Sequence, residues 1–415
     1  MGRKQLVVLV SAVVAALAAG IAFAAAAAVR HHSSSSRLTS ANRTGHHPAT
    51  TGGANTATGS GPSTMQSAGA LAAAAKLNAA QLAGQRVIYS YSGLTPPAGL
   101  LKLIRLGQAA GVIFFSDNVG TETHLAGVVK QLQRANAAST NPVREPLLLM
   151  TDQEGGEVRR LPGEPVLSAK QIGLAAHPWA TATREGKRGA ENLKGVGLNV
   201  NLAPVLDVFR TPGNFIDQFQ RSFSNDPAKV SKLGSLFLTA EQQQGIAATV
   251  KHFPGLGAAT TNQNTDERPV TLRVPLTQLR AIDERPYKAA IAAHVKLVMV
   301  SWAVYPALDK NNPAGLSSTI VQNELRKRLG FTGVTITDAL EAGALKNFGT
   351  TAKRAKLAAN AGMDLILCAE GNFLQGNTAR NALRSAFLAS DPTAQAAFKA
   401  AVARVIALRT WLGSQ

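Results

Sequence analysis

Lys251 and His252 close a short β-rich apolar run, Ile246 to Val250, and lead into Phe253-Pro254-Gly255-Leu256-Gly257. A cation and an imidazole delivered by a buried strand to a Gly/Pro loop build a polar site. A second such junction is Thr151 to Arg160. There Asp152, Glu154, Glu157, Arg159 and Arg160 flank the pair Gly155-Gly156, which permits a tight turn. The third is Asp338, set directly after the β-rich run Gly333 to Thr337. A carboxylate there is costly unless it is paired or functional, and as a functional group it is a candidate nucleophile. Each junction also has a plainer reading: an ordinary strand end at Lys251-His252, a turn with surface charges at 151–160, and a helix N-cap at Asp338.

Elements that could bring these residues together are legible as eight β-rich runs: Arg86 to Tyr91, Gly111 to Phe115, Pro146 to Thr151, Leu198 to Leu202, Ala247 to His252, Leu297 to Ser301, Gly333 to Thr337 and Asp364 to Leu367. Helical stretches lie between them, among them Thr123 to Ala138, Pro178 to Lys194, Ala228 to Gln244 and Leu276 to Ala293. Continuous apolar strands alternating with amphipathic helices predict a parallel sheet covered by helices, and eight such units predict a single-domain (β/α)8 TIM-type barrel. The alternative is a doubly wound open sheet, but no Gly-rich dinucleotide fingerprint follows the first strand. In a barrel the strand ends and their loops converge on one face, where chemistry gathers.

The stretch Lys251-His252-Phe253-Pro254-Gly255-Leu256-Gly257 resembles the sugar-binding signature of glycoside hydrolase family 3, in particular of its single-domain β-N-acetylhexosaminidases. Asp152-Gln153-Glu154-Gly155-Gly156-Glu157-Val158-Arg159-Arg160, Ala203-Pro204-Val205-Leu206-Asp207-Val208, Arg221-Ser222-Phe223 with Asp226-Pro227, and Thr335-Ile336-Thr337-Asp338-Ala339-Leu340 are similar to further segments of that family, in the family's order. The resemblance implies that Asp152, Arg160, Arg221, Lys251 and His252 bind the sugar of the innermost subsite. It implies that Asp338 is the nucleophile of a retaining glycosidase and that Asp207 braces the site. Arg suits a sugar ligand because guanidinium presents several fixed donors. Where these hexosaminidases commonly carry His after the sixth strand, this chain has Trp302, which could stack on a sugar or pack.

One part of the signature is replaced. By register Asn262 and Asn264 stand where the hexosaminidases have the Asp-His dyad that serves as acid/base, and Asn cannot donate a proton in that sense. Loss of a general acid removes about 10²- to 10⁴-fold in rate. Asp266 or Glu267 could supply the acid with a shifted loop register. The alternative is a catalytically impaired glycan-binding barrel. The reading favoured is an exported glycosidase hydrolysing O-glycosidic bonds of cell-wall-type glycans.

Residues 5 to 29, Gln5 aside, form an almost uninterrupted apolar run behind Arg3 and Lys4, so residues 1–30 are expected to be a signal peptide or a signal-anchor helix. Residues 31–75, rich in Ser, Thr, Gly and Ala, are expected to be a flexible linker, and 76–415 the barrel domain. The chain of 415 residues is 45% hydrophobic with one cysteine, Cys368, so no internal disulfide is possible and core packing must hold the domain. A net charge of +19 favours anionic wall polymers or lipid headgroups as contacts, whereas the dispersed cations lack the aromatic interleaving of a nucleic-acid surface. The eight histidines show no metal-ligand spacing, and neither metal nor cofactor is expected.

Overall fold

The computed structural model describes residues 62–138 and 140–415. The apolar run expected to be a signal or anchor, and most of the expected linker, lie outside these residues. Eight short strands form the centre: β1 Val87–Tyr89, β2 Gly111–Ile113, β3 Leu148–Thr151, β4 Val200–Asn201, β5 Ala247–Phe253, β6 Leu297–Val300, β7 Val334–Thr337 and β8 Ile366–Leu367. All neighbouring pairs are parallel, in the order β7-β6-β5-β4-β3-β2-β1-β8. The ends of this sheet meet. Ile336 bridges Leu365, Thr337 N donates to Leu365 O at 3.0 Å, and Leu365 N donates to Thr335 O at 2.9 Å. The predicted (β/α)8 barrel is therefore the observed fold.

Alternation along the strands divides the core into two layers, because successive side chains point to opposite faces. Leu148 and Met150 of β3, with Leu297 and Met299 of β6, belong to the interior cluster. Leu147, Leu149, Val298 and Val300 belong to the outer layer between the strands and the helices. Small barrels are filled by their own side chains, so the interior is packed rather than open.

The N-terminal mouth is closed by the last helix, Pro392–Gly413. Val405, Leu408 and Leu412 join the interior cluster. The fully buried Arg409 donates to Pro146 O at 2.9 Å and Asn136 Oδ1 at 3.0 Å. Helix Pro62–Ala75 packs against this last helix, with Ala70 and Ala74 buried. Residues 62–75, expected to be linker, are instead part of the folded body, because small Ala side chains let this helix approach closely. Cys368 is buried in the outer core layer.

Among the described residues no helix is long and apolar enough to cross a membrane. A cavity of about 780 Å³ lies near the N-terminal mouth, lined by Lys296, Phe331, Arg404 and Trp411 among others, at the end opposite to the clustered polar residues.

Candidate functional site

Asp152, Lys251, His252 and Asp338 occupy the C-terminal ends of β3, β5 and β7, so the barrel gathers at one mouth residues spread over nearly two hundred positions. After β3 the chain makes a small hairpin, Gln153–Gly155 paired with Val158–Arg159. Gly155 and Gly156 turn it with φ of 101° and 59°. A Cβ at Gly155 would also collide with the Leu167 carbonyl, so both conformation and space call for glycine here.

The floor of the mouth is a set of cross-paired charges. The Lys251 ammonium lies 2.6 Å from Asp152 Oδ1 and 2.7 Å from Glu154 Oε1. Arg221 holds Glu154 with two hydrogen bonds, Nε to Oε2 at 2.9 Å and a terminal nitrogen to Oε1 at 2.8 Å. Burial would raise the Glu154 carboxyl, but Arg221 and Lys251 outweigh it and hold it down to about 2. The same competition, with Lys251 and Arg160 against burial, keeps the Asp152 carboxyl below its usual range. Lys251 is raised despite burial by Asp152 and Glu154. These groups are therefore ionised together at neutral pH. Half-buried Arg160 has its Nε enclosed without a hydrogen-bond partner.

Next to this floor, fully buried Asp207 fixes His252. Its Oδ2 lies 2.8 Å from His252 Nδ1, and its Oδ1 accepts from His252 N at 3.3 Å and Leu256 N at 2.7 Å. An Nδ1 proton donated to this carboxylate leaves Nε2 as the free ring nitrogen, and Nε2 has no protein partner among the described residues. The peptide joining Lys251 to His252 is cis. Asp226 caps helix Pro227–Gln243 through Ala228 N at 2.8 Å, so the Asp226-Pro227 pair serves the scaffold.

The wall is made by two loops. Asp338, partly exposed at the end of β7, accepts from Ala339 N at 2.7 Å. Asp266, on the loop after β5, keeps access to water while enough protein surrounds it to raise its carboxyl to about 6. Burial is the largest cause and the neighbouring Asp338 charge the second, offset in part by Arg221 and His252. Glu267 stands apart: its side chain is 58% exposed and pairs with Arg268 at 2.9 Å. Asn264 accepts from Asp266 N at 2.9 Å and donates to Glu267 Oε1 at 3.2 Å, an Asx-type turn that shapes the loop at Asp266.

Trp302 is 1% exposed, and its indole N–H donates to Ala339 O at 2.8 Å. It packs behind the β7 loop, which leaves no ring face for a sugar. Glu154 was not singled out from the sequence, yet it joins Lys251 to Arg221. The signal was present: residues two apart on an extended segment share a face, which puts Glu154 beside Asp152. Among the described residues no group of three or more His, Cys, Asp or Glu side chains is arranged to hold a metal ion.

Polar side chains converging on the C-terminal mouth of a parallel barrel define the class as a (β/α)8-barrel enzyme. Residues 53–408 match the glycosyl hydrolase family 3 N-terminal domain. The chain is 44% identical over 349 residues to a protein of Arthroderma benhamiae described as an uncharacterized secreted glycosyl hydrolase, covering 84% of this chain and 98% of that one. It is similar in structure to a family 3 β-N-acetylglucosaminidase from Paenibacillus, with a TM-score of 0.75 and 32% identity, covering 81% of this chain and spanning 63% of that chain's length. It is equally similar to a β-N-acetylhexosaminidase from Beutenbergia cavernae, with a TM-score of 0.73, 32% identity and 81% and 99% of the two chains covered. The chain belongs to glycosyl hydrolase family 3, and its enzymatic class is that of a glycosidase acting on O-glycosyl compounds.

Proposed function

We propose that this protein is an exported retaining β-N-acetylhexosaminidase, with Asp338 as nucleophile and Asp266 as general acid and base, acting on cell-wall-type glycans. The observation that carries this reading is the place of Asp266: backbone hydrogen bonds tie its loop to the loop that follows Asp338, and its surroundings, the Asp338 charge among them, raise its carboxyl to about 6. A carboxyl raised toward neutral pH is suited to give a proton and take it back.

In the first step an Asp338 carboxylate oxygen bonds to the anomeric carbon as the glycosidic C–O bond breaks, and the Asp266 proton passes to the departing oxygen. In the second step Asp266 takes a proton from water, whose oxygen attacks the anomeric carbon and releases Asp338. Asp152, Arg160, Lys251, His252 and Arg221 bind the hydroxyls of the innermost sugar. The floor suits this task chemically, because carboxylate, ammonium, guanidinium and imidazole groups all pair with hydroxyls. Glu267 was the other candidate acid; its exposed pairing with Arg268 favours Asp266.

Export is supported by the apolar N-terminal run and by the secreted description of the Arthroderma relative. The net charge of +19 would bring the enzyme to anionic wall polymers or lipid headgroups. The experiment is an assay with an activated aryl β-N-acetylglucosaminide and an unactivated β-linked disaccharide of the same sugar. Turnover of both is expected. Turnover of neither, alongside measurable sugar binding, sinks the proposal in favour of a glycan-binding barrel.

A further inference from the structure

The loop after β5 is fastened to the loop after β7 at one place. Gly343 N donates to Asp266 O at 2.7 Å, and Ala344 N donates to Thr265 O at 2.9 Å. Both donors lie at the start of the short 3-10 turn Gly343–Phe348, whose first N–H groups have no partner within the turn. Buried Thr265 anchors the acceptor side, and the Asn264 turn fixes the next backbone group through Asp266 N.

Space at this junction admits only glycine. A Cβ on Gly343 would sit inside the Glu267 carbonyl group and against Arg268 N, backbone on both counts, so no side-chain rotation could relieve it. No left-handed backbone conformation accounts for a glycine here, since its φ lies in the ordinary range. Close approach of the two loops is the remaining reason. Trp302 braces the same β7 loop from behind through Ala339 O.

From these contacts we infer that Gly343 is a positioning residue: it lets the two loops touch, so that the backbone of Asp266 is tied to the loop that begins at Asp338, and the acid stands beside the nucleophile before substrate arrives. The inference rests on Asp266 as the acid. A carboxyl on an unfastened loop would reach the leaving oxygen only in a fraction of encounters, whereas a tied one is placed once for both steps. The tie also keeps Asp266 under the influence of Asp338, with Arg221, His252 and Asp152 the other charged or titratable groups acting on it.

The test is Gly343→Ala in the full chain, compared with Gly195→Ala, where an added Cβ meets nothing and rates should not change. A displacement on the order of 1 Å costs about 100-fold in a positioned step. Gly343→Ala is therefore expected to lower kcat for the unactivated disaccharide by about that factor. The activated aryl glycoside should be spared, KM should hold, and the high-pH limb of the rate profile should move toward lower pH. Unchanged rates on both substrates overturn the inference, and so does an equal loss on both, which would mark a purely structural role. Asp266→Asn run alongside separates two failures: if it alone shows the leaving-group effect, the tie falls and the acid stands; if neither variant shows it, both fall. Should Gly343→Ala not fold, hydrogen exchange on the unaltered protein decides: protected amides at Gly343 and Ala344 support the tie, and free exchange overturns it.

Discussion

The floor and the wall of the barrel mouth use the same kinds of side chain in opposite ways. On the floor Asp152, Glu154, Lys251 and Arg221 are enclosed and cross-paired, so burial is outweighed by opposite charge and Glu154 is held at about 2. On the wall Asp266 faces a like charge at Asp338, so burial and repulsion act together and raise it to about 6. Opposite partners fix protonation states, which suits binding; a like partner brings one carboxyl within reach of neutral pH, which suits proton transfer.

Removing Asp338 should have the largest effect. Asp338→Ala should lower turnover of both the activated and the unactivated substrate on the order of 10⁴-fold or more, since a covalent step loses its nucleophile. An undiminished rate would reject the assignment. The same variant sharpens the comparison: without the facing charge the Asp266 carboxyl should titrate at lower pH than about 6, as read by NMR.

Asp266→Asn comes next, with a loss of about 10²- to 10⁴-fold on the unactivated disaccharide and a smaller one on the activated glycoside in its first step. In the unaltered enzyme kcat/KM for the disaccharide should fall as pH rises through about 6, because the acid loses its proton there. A profile flat across that range would speak against Asp266.

The floor should answer in stability rather than in proton transfer. Glu154→Gln leaves Arg221 without its carboxylate partner and should destabilise the fold on the order of 3 kcal/mol, measured by denaturant unfolding. A depressed carboxyl contributes stability that is present above its unfolded value and lost as pH falls toward about 2, so the difference between wild type and Glu154→Gln should shrink in acid. Glu267→Gln should do least. Its pair with Arg268 is exposed, so stability should change by less than about 1 kcal/mol and the rates should not change; a leaving-group effect as large as that of Asp266→Asn would reverse the choice between them.

How far these regions were legible in the sequence follows the same division. The floor residues other than Arg221 sit on or next to strands, where period-2 alternation and strand-end position announce direction. Strand-end position marks Asp152, Lys251 and His252 as polar groups of one mouth and puts Glu154 on the face of Asp152; that these residues, with Arg160 and Arg221, bind a sugar is what the family resemblance implies. The wall residues sit on loops, where neighbours in sequence point to different places. Asp266 and Glu267 are adjacent and chemically alike, and nothing local distinguishes the residue facing Asp338 from the one paired with Arg268. Helix Pro62–Ala75 was missed for a related reason, since its Ala-rich face acquires meaning only against the last helix.

By itself the sequence determined the eight strands, their parallel barrel and the polar groups at their ends, because burial on both faces and side-chain alternation are written into each short segment. Only the tertiary structure decided that Glu154 couples Lys251 to Arg221, that Asp266 rather than Glu267 stands within the field of Asp338, and that Gly343 lets the two loops touch. Each of these depends on groups tens of residues apart in sequence meeting within hydrogen-bonding distance or within reach of each other's charge, which barrel closure brings about and no local pattern encodes.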